Sequence, residues 1–493
     1  MTTIEVNTKD GAIRGQQLNG ISVWKGIPYA KPPVDELRFA APVPPERWEG
    51  VKEAFHFGPE NIQPRQNGAA AELAAGTRLE SEDCLYLNVW APEAVVAGDA
   101  ADAPLPVMVW IHGGSFLTGA GSWPLYDGSE LAKRGNIIVV TINYRLGPFG
   151  FLHLAPLGGS FVSNAGLLDQ IAALEWVKNN IAAFGGDPAS VTIFGESAGS
   201  MSIAALLGMT KAKGLYSRAI MQSGASQIIP QQQADGIRAG LLQLLGISPS
   251  ELDKLRTVPA EQIFAAGEKL KEQAGNRLAL LFQPVLDEAT LPQSPLEAIH
   301  KGAAADIPLL IGTNLDEGHL FIRPDMPFDD NIDMSEALTF MAPDIKNVAA
   351  AAAAYPPTTD GQAQMMTEAF FWRSSVQFAT AQSEHAPVWM YRFDWVLPEH
   401  PLLHKSIHGI EIFFVFNTLE HMQSMGVTPD ESMRKLAWRM QDAWIAFAKQ
   451  GTPEAENVAW PAYSKQERST FIFNHATQVM ADPDAQKREL LEL

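Results

Sequence analysis

VTIFGESAGS, residues 191–200, runs four apolar or β-branched residues straight into a serine framed by glycines. Gly195-Glu196-Ser197-Ala198-Gly199 matches G-x-S-x-G, a pattern short enough to arise by accident in a chain with 39 glycines. The flanks separate a nucleophile from an ordinary helix-capping serine. A nucleophile elbow needs a strand before the serine and a helix directly after it, because the sharp turn lifts the hydroxyl clear of the sheet. Residues 191–194 read as that strand and 200–207 as that helix, while the glycines leave room where a side chain would meet backbone. Ser197 is the expected nucleophile.

Outward from this stretch the pattern repeats. VMVWIHGG (107–114), NIIVVTINY (136–144), RAIMQSG (218–224), IPLLIGTN (307–314) and VWMYRFDW (388–395) are β-rich runs that end in glycine or polar residues. Helical spacing of apolar residues follows over 165–183 and 433–449. Such alternation predicts an α/β fold with a central, mostly parallel twisted sheet flanked by helices. The segments 225–305 and 320–386 read as helix-rich insertions covering the sheet's C-terminal edge, where a ligand pocket belongs in an open α/β sheet. One elaborated domain over 1–493 is favoured over two or three.

The chain has 493 residues, 46% of them hydrophobic, and a formal net charge of −20. That charge argues against nucleic acid and anionic membranes as partners. The start, MTTIEVNTKDGAIRG, alternates like a first strand and lacks the basic and apolar regions of a signal peptide. No apolar run reaches the roughly 18 residues a membrane span needs. Cys84 is the single cysteine, so no internal disulfide forms, which fits a cytoplasmic setting. No H-x-H, H-E-x-x-H or C-x-x-C spacing suggests a metal, and no G-x-G-x-x-G follows a strand, so no cofactor is expected.

A serine hydroxyl needs a base to take its proton and an acid to orient that base, and in this architecture the chain order is Ser, Asp or Glu, then His. After Ser197, the turn Leu315-Asp316-Glu317-Gly318 offers two competing carboxylates, Asp316 and Glu317. Placing the base in the loop after VWMYRFDW, taken as the last central strand, leaves His400, His404 and His408. His408 is favoured because Gly409 permits close approach and residues 410–416 would anchor its loop in the core. Oxyanion donors are expected from the Ala198 amide and from the loop His112-Gly113-Gly114-Ser115-Phe116, directly after a core strand.

FGGDPASVTIFGESAG (184–199) and EDCLYLNVWAP (82–92) resemble the two signature stretches of the type B carboxylesterase and cholinesterase family, a branch of the α/β-hydrolase fold. WKGIPYAKPPVDELRF (24–39), HGGSF (112–116), NYRLGPFGFL (143–152), NAGLLDQ (164–170), PVLD (284–287), DEG (316–318) and HGIEIFFVF (408–416) continue the likeness in the family's order. Within the family the chain resembles the bacterial para-nitrobenzyl esterases, which are cytoplasmic. The resemblance implies Glu317 as the acid and His408 as the base, with oxyanion donors at Gly114, Ser115 and Ala198. It also implies Glu196 and Glu411 behind the histidine, Ser223 in support, and structural ion pairs of Arg38 with Glu82 and of Arg145 with Asp187.

Departures from the family pattern inform specificity. Cys84 sits where secreted members have a disulfide cysteine and is expected to pack as a small apolar residue. No Trp lies within 68–80, where cholinesterases carry an aromatic platform, so choline esters are not expected. Leu278 and Leu280 precede PVLD and imply an apolar, fairly open acyl pocket, with Leu320 and Phe321 aligned to lining positions. The expected activity is cofactor-free hydrolysis of short- to medium-chain carboxylic esters through an acyl-enzyme, by a monomer. Alternatives are the same site specialised for a lactone, carbamate, thioester or amide, or a non-catalytic binding homologue, since fold alone does not imply function.

Overall fold

The run VTIFGE belongs to the longest strand of one continuous sheet. A computed structural model of the chain describes residues 2–64, 79–96, 103–274, 281–324, 333–455 and 458–493. Its strands are β1 (Thr2–Asn7), β2 (Ala12–Leu18), β3 (Ile21–Pro28), β4 (Val51–Glu53), β5 (Tyr86–Pro92), β6 (Leu105–Ile111) and β7 (Ile138–Ile142). They continue with β8 (Gly186–Glu196), β9 (Arg218–Gln222), β10 (Leu309–Asn314), β11 (Val388–Phe393), β12 (Ser469–Phe473) and β13 (Gln478–Ala481). The order across the sheet is β1-β2-β3-β5-β7-β6-β8-β9-β10-β11-β12-β13, with β4 on β2. From β7 to β12 every neighbour is parallel, and the antiparallel pairs lie at the two flanks. VWMYRFDW is therefore not the last central strand: β12 pairs parallel beyond it, formed by STFIF, too short a run to declare itself by period alone.

The central strands are buried on both faces, as a parallel sheet requires. Side chains alternate between two cores. Val107, Val109 and Ile111 of β6 and Val191 and Ile193 of β8 enter one core; Met108, Trp110 and Phe194 enter the other. Helices Ala165–Asn180, Ala198–Gly208 and Arg373–Ser383 cover the first face, and Glu431–Gln450 covers the second. The last helix is two residues longer at its start than its apolar pattern predicts, because the Asp430 carboxylate accepts the Met433 N–H and caps it. Gly451, at φ 77°, ends it. The helix expected over 165–183 stops at Asn180 and tightens into a 3₁₀ turn, Ile181–Phe184, closed by Gly185 at φ 84°.

The two long insertions join neighbours. Residues 225–305 connect β9 to β10 and 320–386 connect β10 to β11, three adjacent parallel strands. Both are helix-rich, with Gln231–Leu244 and Ala260–Gln273 in the first and Thr359–Met365 running into Arg373–Ser383 in the second.

Of the two inferred ion pairs, Arg38 with Glu82 is present, with contacts of 2.7 and 2.5 Å. Arg145 does not pair with Asp187. It donates to Asp169 from Nε at 2.8 Å, from Nη2 at 2.7 Å and from its backbone N–H at 3.0 Å. Asp169, on helix Ala165–Asn180, shares the depth of the guanidinium, whereas Asp187 lies at the outer start of β8 and accepts the Ala189 N–H at 2.9 Å. A buried cation requires a buried partner.

Candidate active site

β8 ends at Glu196, and the helix Ala198–Gly208 begins one residue after Ser197. Ser197 holds φ 54° and ψ −121°, a conformation that non-glycine residues rarely adopt and that costs about 1–3 kcal/mol. The turn survives because the residues two positions to either side, Gly195 and Gly199, have no side chains. A Cβ on Gly199 would sit 1.9 Å from the Ile111 carbonyl, and one on Gly195 would sit 2.6 Å from the same oxygen. Ser197 donates its own N–H to Gln222 O of β9 at 2.9 Å, which pins the elbow to the sheet.

Glu317 lies three residues beyond β10, wholly buried. His408 follows β11. Its Nδ1 stands 2.6 Å from Glu317 Oε2, while Glu317 Oε1 accepts the Asn314 N–H at 2.7 Å. A carboxylate at Nδ1 makes that nitrogen the donor and leaves Nε2 as the basic atom. Asp316 turns elsewhere: its N–H donates to Ser406 O at 2.9 Å and its Oδ2 accepts the Ser406 N–H at 3.0 Å. The turn that carries Glu317 is thereby clamped to the loop two residues before His408. Ile410, Ile412, Phe413, Phe414, Val415 and Phe416 are buried and anchor that loop. Of the other two histidines, His400 bonds Met425 O at 2.9 Å and His404 bonds His400 O at 3.1 Å.

Glu196 corrects an expectation. Rather than standing behind the histidine, its Oε1 lies 3.0 Å from Nε2, the ring nitrogen that Glu317 does not hold. Glu411 is the carboxylate behind, accepting from Asn314 Nδ2 at 2.6 Å and Gln222 Nε2 at 3.1 Å. Burial lowers the His408 affinity for protons, but Glu196 and Glu317 outweigh it and raise the imidazole above its ordinary value. Burial raises Glu196 in turn, opposed by His408.

Gly114 at φ 102°, Ser115 at φ 57° and Phe116 at φ 58° give the loop after β6 its reversed curvature. A Cβ on Gly114 would meet Thr118 O at 2.2 Å. Among the described residues the N–H groups of Gly114, Ser115 and Ala198 have no protein acceptor. Ala198 is buried and the loop pair half-buried, and preset donors without partners are what a developing oxyanion requires. His112, which precedes them, stacks on Tyr144 at 4.4 Å and is held near pKa 4 by burial. Its Nδ1 bonds Gly113 O at 2.8 Å.

Ser223, at φ 54°, follows β9 and donates its N–H to Gly312 O at 2.8 Å; its buried hydroxyl has no partner among the described residues. Phe321 packs its ring 5.1 Å from His408, whereas Leu320 packs against the second core. Leu278, Leu280 and most of the 68–80 stretch lie outside the described residues. Asn314, which donates to Glu317, Thr367, which accepts the N–H of Gly318, and Phe371, whose ring packs on His408, were not singled out by sequence. Asn314 had one signal, a polar residue closing the strand directly before the acid turn. No His, Cys, Asp or Glu group among the described residues could hold a metal ion, and no described helix is long and apolar enough to cross a membrane.

The model of the carboxylesterase family matches residues 2–490. The chain belongs to that family. It is 49% identical to the para-nitrobenzyl esterase of Bacillus subtilis strain 168 across 100% of this chain and 99% of the relative. It is 32% identical to the phenmedipham hydrolase of Pseudarthrobacter oxydans across 94% of each. A solved thermophilic PNB esterase superposes with a TM-score of 0.94 at 47% identity over 99% of both chains. A Geobacillus stearothermophilus carboxylesterase does so at 0.86 and 38%, again over 99% of both. The enzyme has the α/β-hydrolase fold and is a serine carboxylesterase.

Proposed function

We propose that this carboxylesterase works through Ser197, His408 and Glu317 by an acyl-enzyme mechanism on short- to medium-chain esters. The 2.6 Å contact between His408 and Glu317, at the end of the sheet where Ser197 stands on its elbow, carries the reading. His408 Nε2 takes the Ser197 proton as Oγ attacks the ester carbonyl. The oxyanion is received by the amides of Gly114, Ser115 and Ala198. His408 returns the proton to the departing alcohol, then draws one from water to release the acid. Glu317 remains ionised and holds the imidazole by Nδ1. Chain length rests on the sequence around the pocket, where Phe321 is the described aromatic wall.

Assays of wild type and Ser197→Ala on para-nitrophenyl esters of graded acyl length test this. The substitution should lower turnover by about 10⁴-fold or more with the fold intact. Retained activity would remove Ser197 from the mechanism. The proposal extends to a single domain, supported by the continuous sheet, and to a monomer, supported by the net charge of −20. It also extends to the cytoplasm, where the buried, unpaired Cys84 would stay reduced.

A further inference from the structure

Between Thr359–Met365 and Arg373–Ser383 the helix widens into a seven-residue π-helical segment, Met366–Trp372. Such wide turns are rare and concentrate at functional sites. Here the widening has visible supports. Gln227 Nε2 and Ser374 Oγ donate to Phe370 O at 2.7 and 2.8 Å, and Ser375 Oγ donates to Phe371 O at 2.9 Å. These side-chain donors reach the carbonyls at the segment's C-terminal end, where inserted donors of this kind accompany departures from straight α-helix.

The inner face of the segment meets the acid and the base. Thr367 Oγ1 accepts the N–H of Gly318, the residue next to Glu317, at 2.9 Å, and donates to Ala363 O at 2.9 Å. Contact there is so close that a Cβ on Gly318 would lie 2.0 Å from Ala363 O. One turn on, the Phe371 ring stands 4.6 Å from the His408 ring and 6.0 Å from Phe321, nearly parallel to the latter at 12°. The outer face is tied down separately. Glu368 accepts from Tyr355 Oη at 2.7 Å and meets Lys487 Nζ at 2.9 Å, and Arg373 donates to Asp344 at 2.7 and 2.9 Å. Further along, Gln382 bonds Ala304 O and Ile307 O, both at 2.8 Å. With both ends held, the extra residue of a wide turn sets the phase at which the inner side chains arrive.

We infer that the π-helical segment Met366–Trp372 is a positioning element of the esterase reaction, with Thr367 seating the Glu317 turn and Phe371 seating the His408 ring. The inference rests on the triad reading above. Neither residue touches reacting atoms; they act through Glu317 and His408. The charged groups around the imidazole are Glu196 and Glu317, in contact with it, and Glu411 behind; all three favour the charged ring, so a loosened Glu317 stabilises the imidazolium less and lets the base titrate at lower pH.

The test compares Thr367→Val, Thr367→Ser and Phe371→Leu in the full chain, with thermal midpoints recorded. Thr367→Val should lower kcat roughly 10- to 100-fold with KM within about twofold, and move the acid limb of kcat/KM to lower pH. Thr367→Ser should restore both. Phe371→Leu, which keeps bulk but removes the flat ring, should lower kcat in the same way and gives an independent reading if Thr367→Val does not fold. A wild-type kcat and pH profile in Thr367→Val and Phe371→Leu would overturn the inference. So would a loss that moves no pH limb or that serine fails to rescue. If Ser197→Ala is inactive while these variants behave as wild type, this inference alone falls; activity in Ser197→Ala sinks the triad reading instead.

Discussion

Glu317 and His408 meet at 2.6 Å although 91 residues separate them, and the carboxylate is completely buried while the imidazole is 7% exposed. Water competes poorly for either group, so the contact fixes the orientation of the ring and biases its protonation. Glu317→Gln keeps the shape but replaces an ionised acceptor with an amide. The expected result is a fall in kcat of about 10⁴-fold with a folded protein, as for the loss of an orienting acid in other triads. Steady-state kinetics beside a thermal melt check it.

The second carboxylate at the ring gives a pH prediction. Glu196 and Glu317 favour the imidazolium, so the folded His408 titrates above its ordinary value, and activity falls as pH drops through that raised value. Removing the Glu196 charge withdraws part of that support. In Glu196→Gln the His408 pKa falls, the base stays neutral to lower pH, and the acid limb of kcat/KM shifts downward by about one unit. A limb that stays in place or rises would show that Glu196 does not stabilise the charged ring.

Asp169 and Asp187 separate two pairings for Arg145. Asp169→Asn leaves a fully buried guanidinium without a counter-charge and is expected to cost about 3–5 kcal/mol. Asp187→Asn removes a partly exposed loop contact and should cost under about 0.5 kcal/mol. Denaturant unfolding of both variants measures the difference, and equal losses would contradict the pairing.

Cys84 is 0% exposed, its Sγ lies 3.7 Å from Asn61 Oδ1, and burial pushes its thiol well above the ordinary range. The thiolate that reacts is therefore scarce and shielded. A colorimetric thiol reagent should titrate no cysteine in the native protein and one after denaturation.

What the sequence determined by itself is local. The strand, serine and helix of the elbow, the β-rich runs around it and the glycines of the tight turns are all written in neighbouring residues. Their geometry follows from short-range sterics: Gly199 tolerates the Ile111 carbonyl because it lacks a Cβ. The family likeness extended this to Glu317 and His408, and the structure brings that pair together. Tertiary structure decided everything that depends on depth and on distant partners. Asp316 and Glu317 are adjacent and chemically alike, yet one is turned to Ser406 and the other to His408, a choice made by how two loops pack beyond β10 and β11. Glu196 faces Nε2 because the elbow swings it there, Arg145 takes Asp169 because both are buried at one level, and the π-helical turn exists because both of its faces are anchored elsewhere. No period in the chain encodes these contacts, since a hydrogen bond or ion pair is specified by three-dimensional proximity and by exclusion of water rather than by spacing along the sequence.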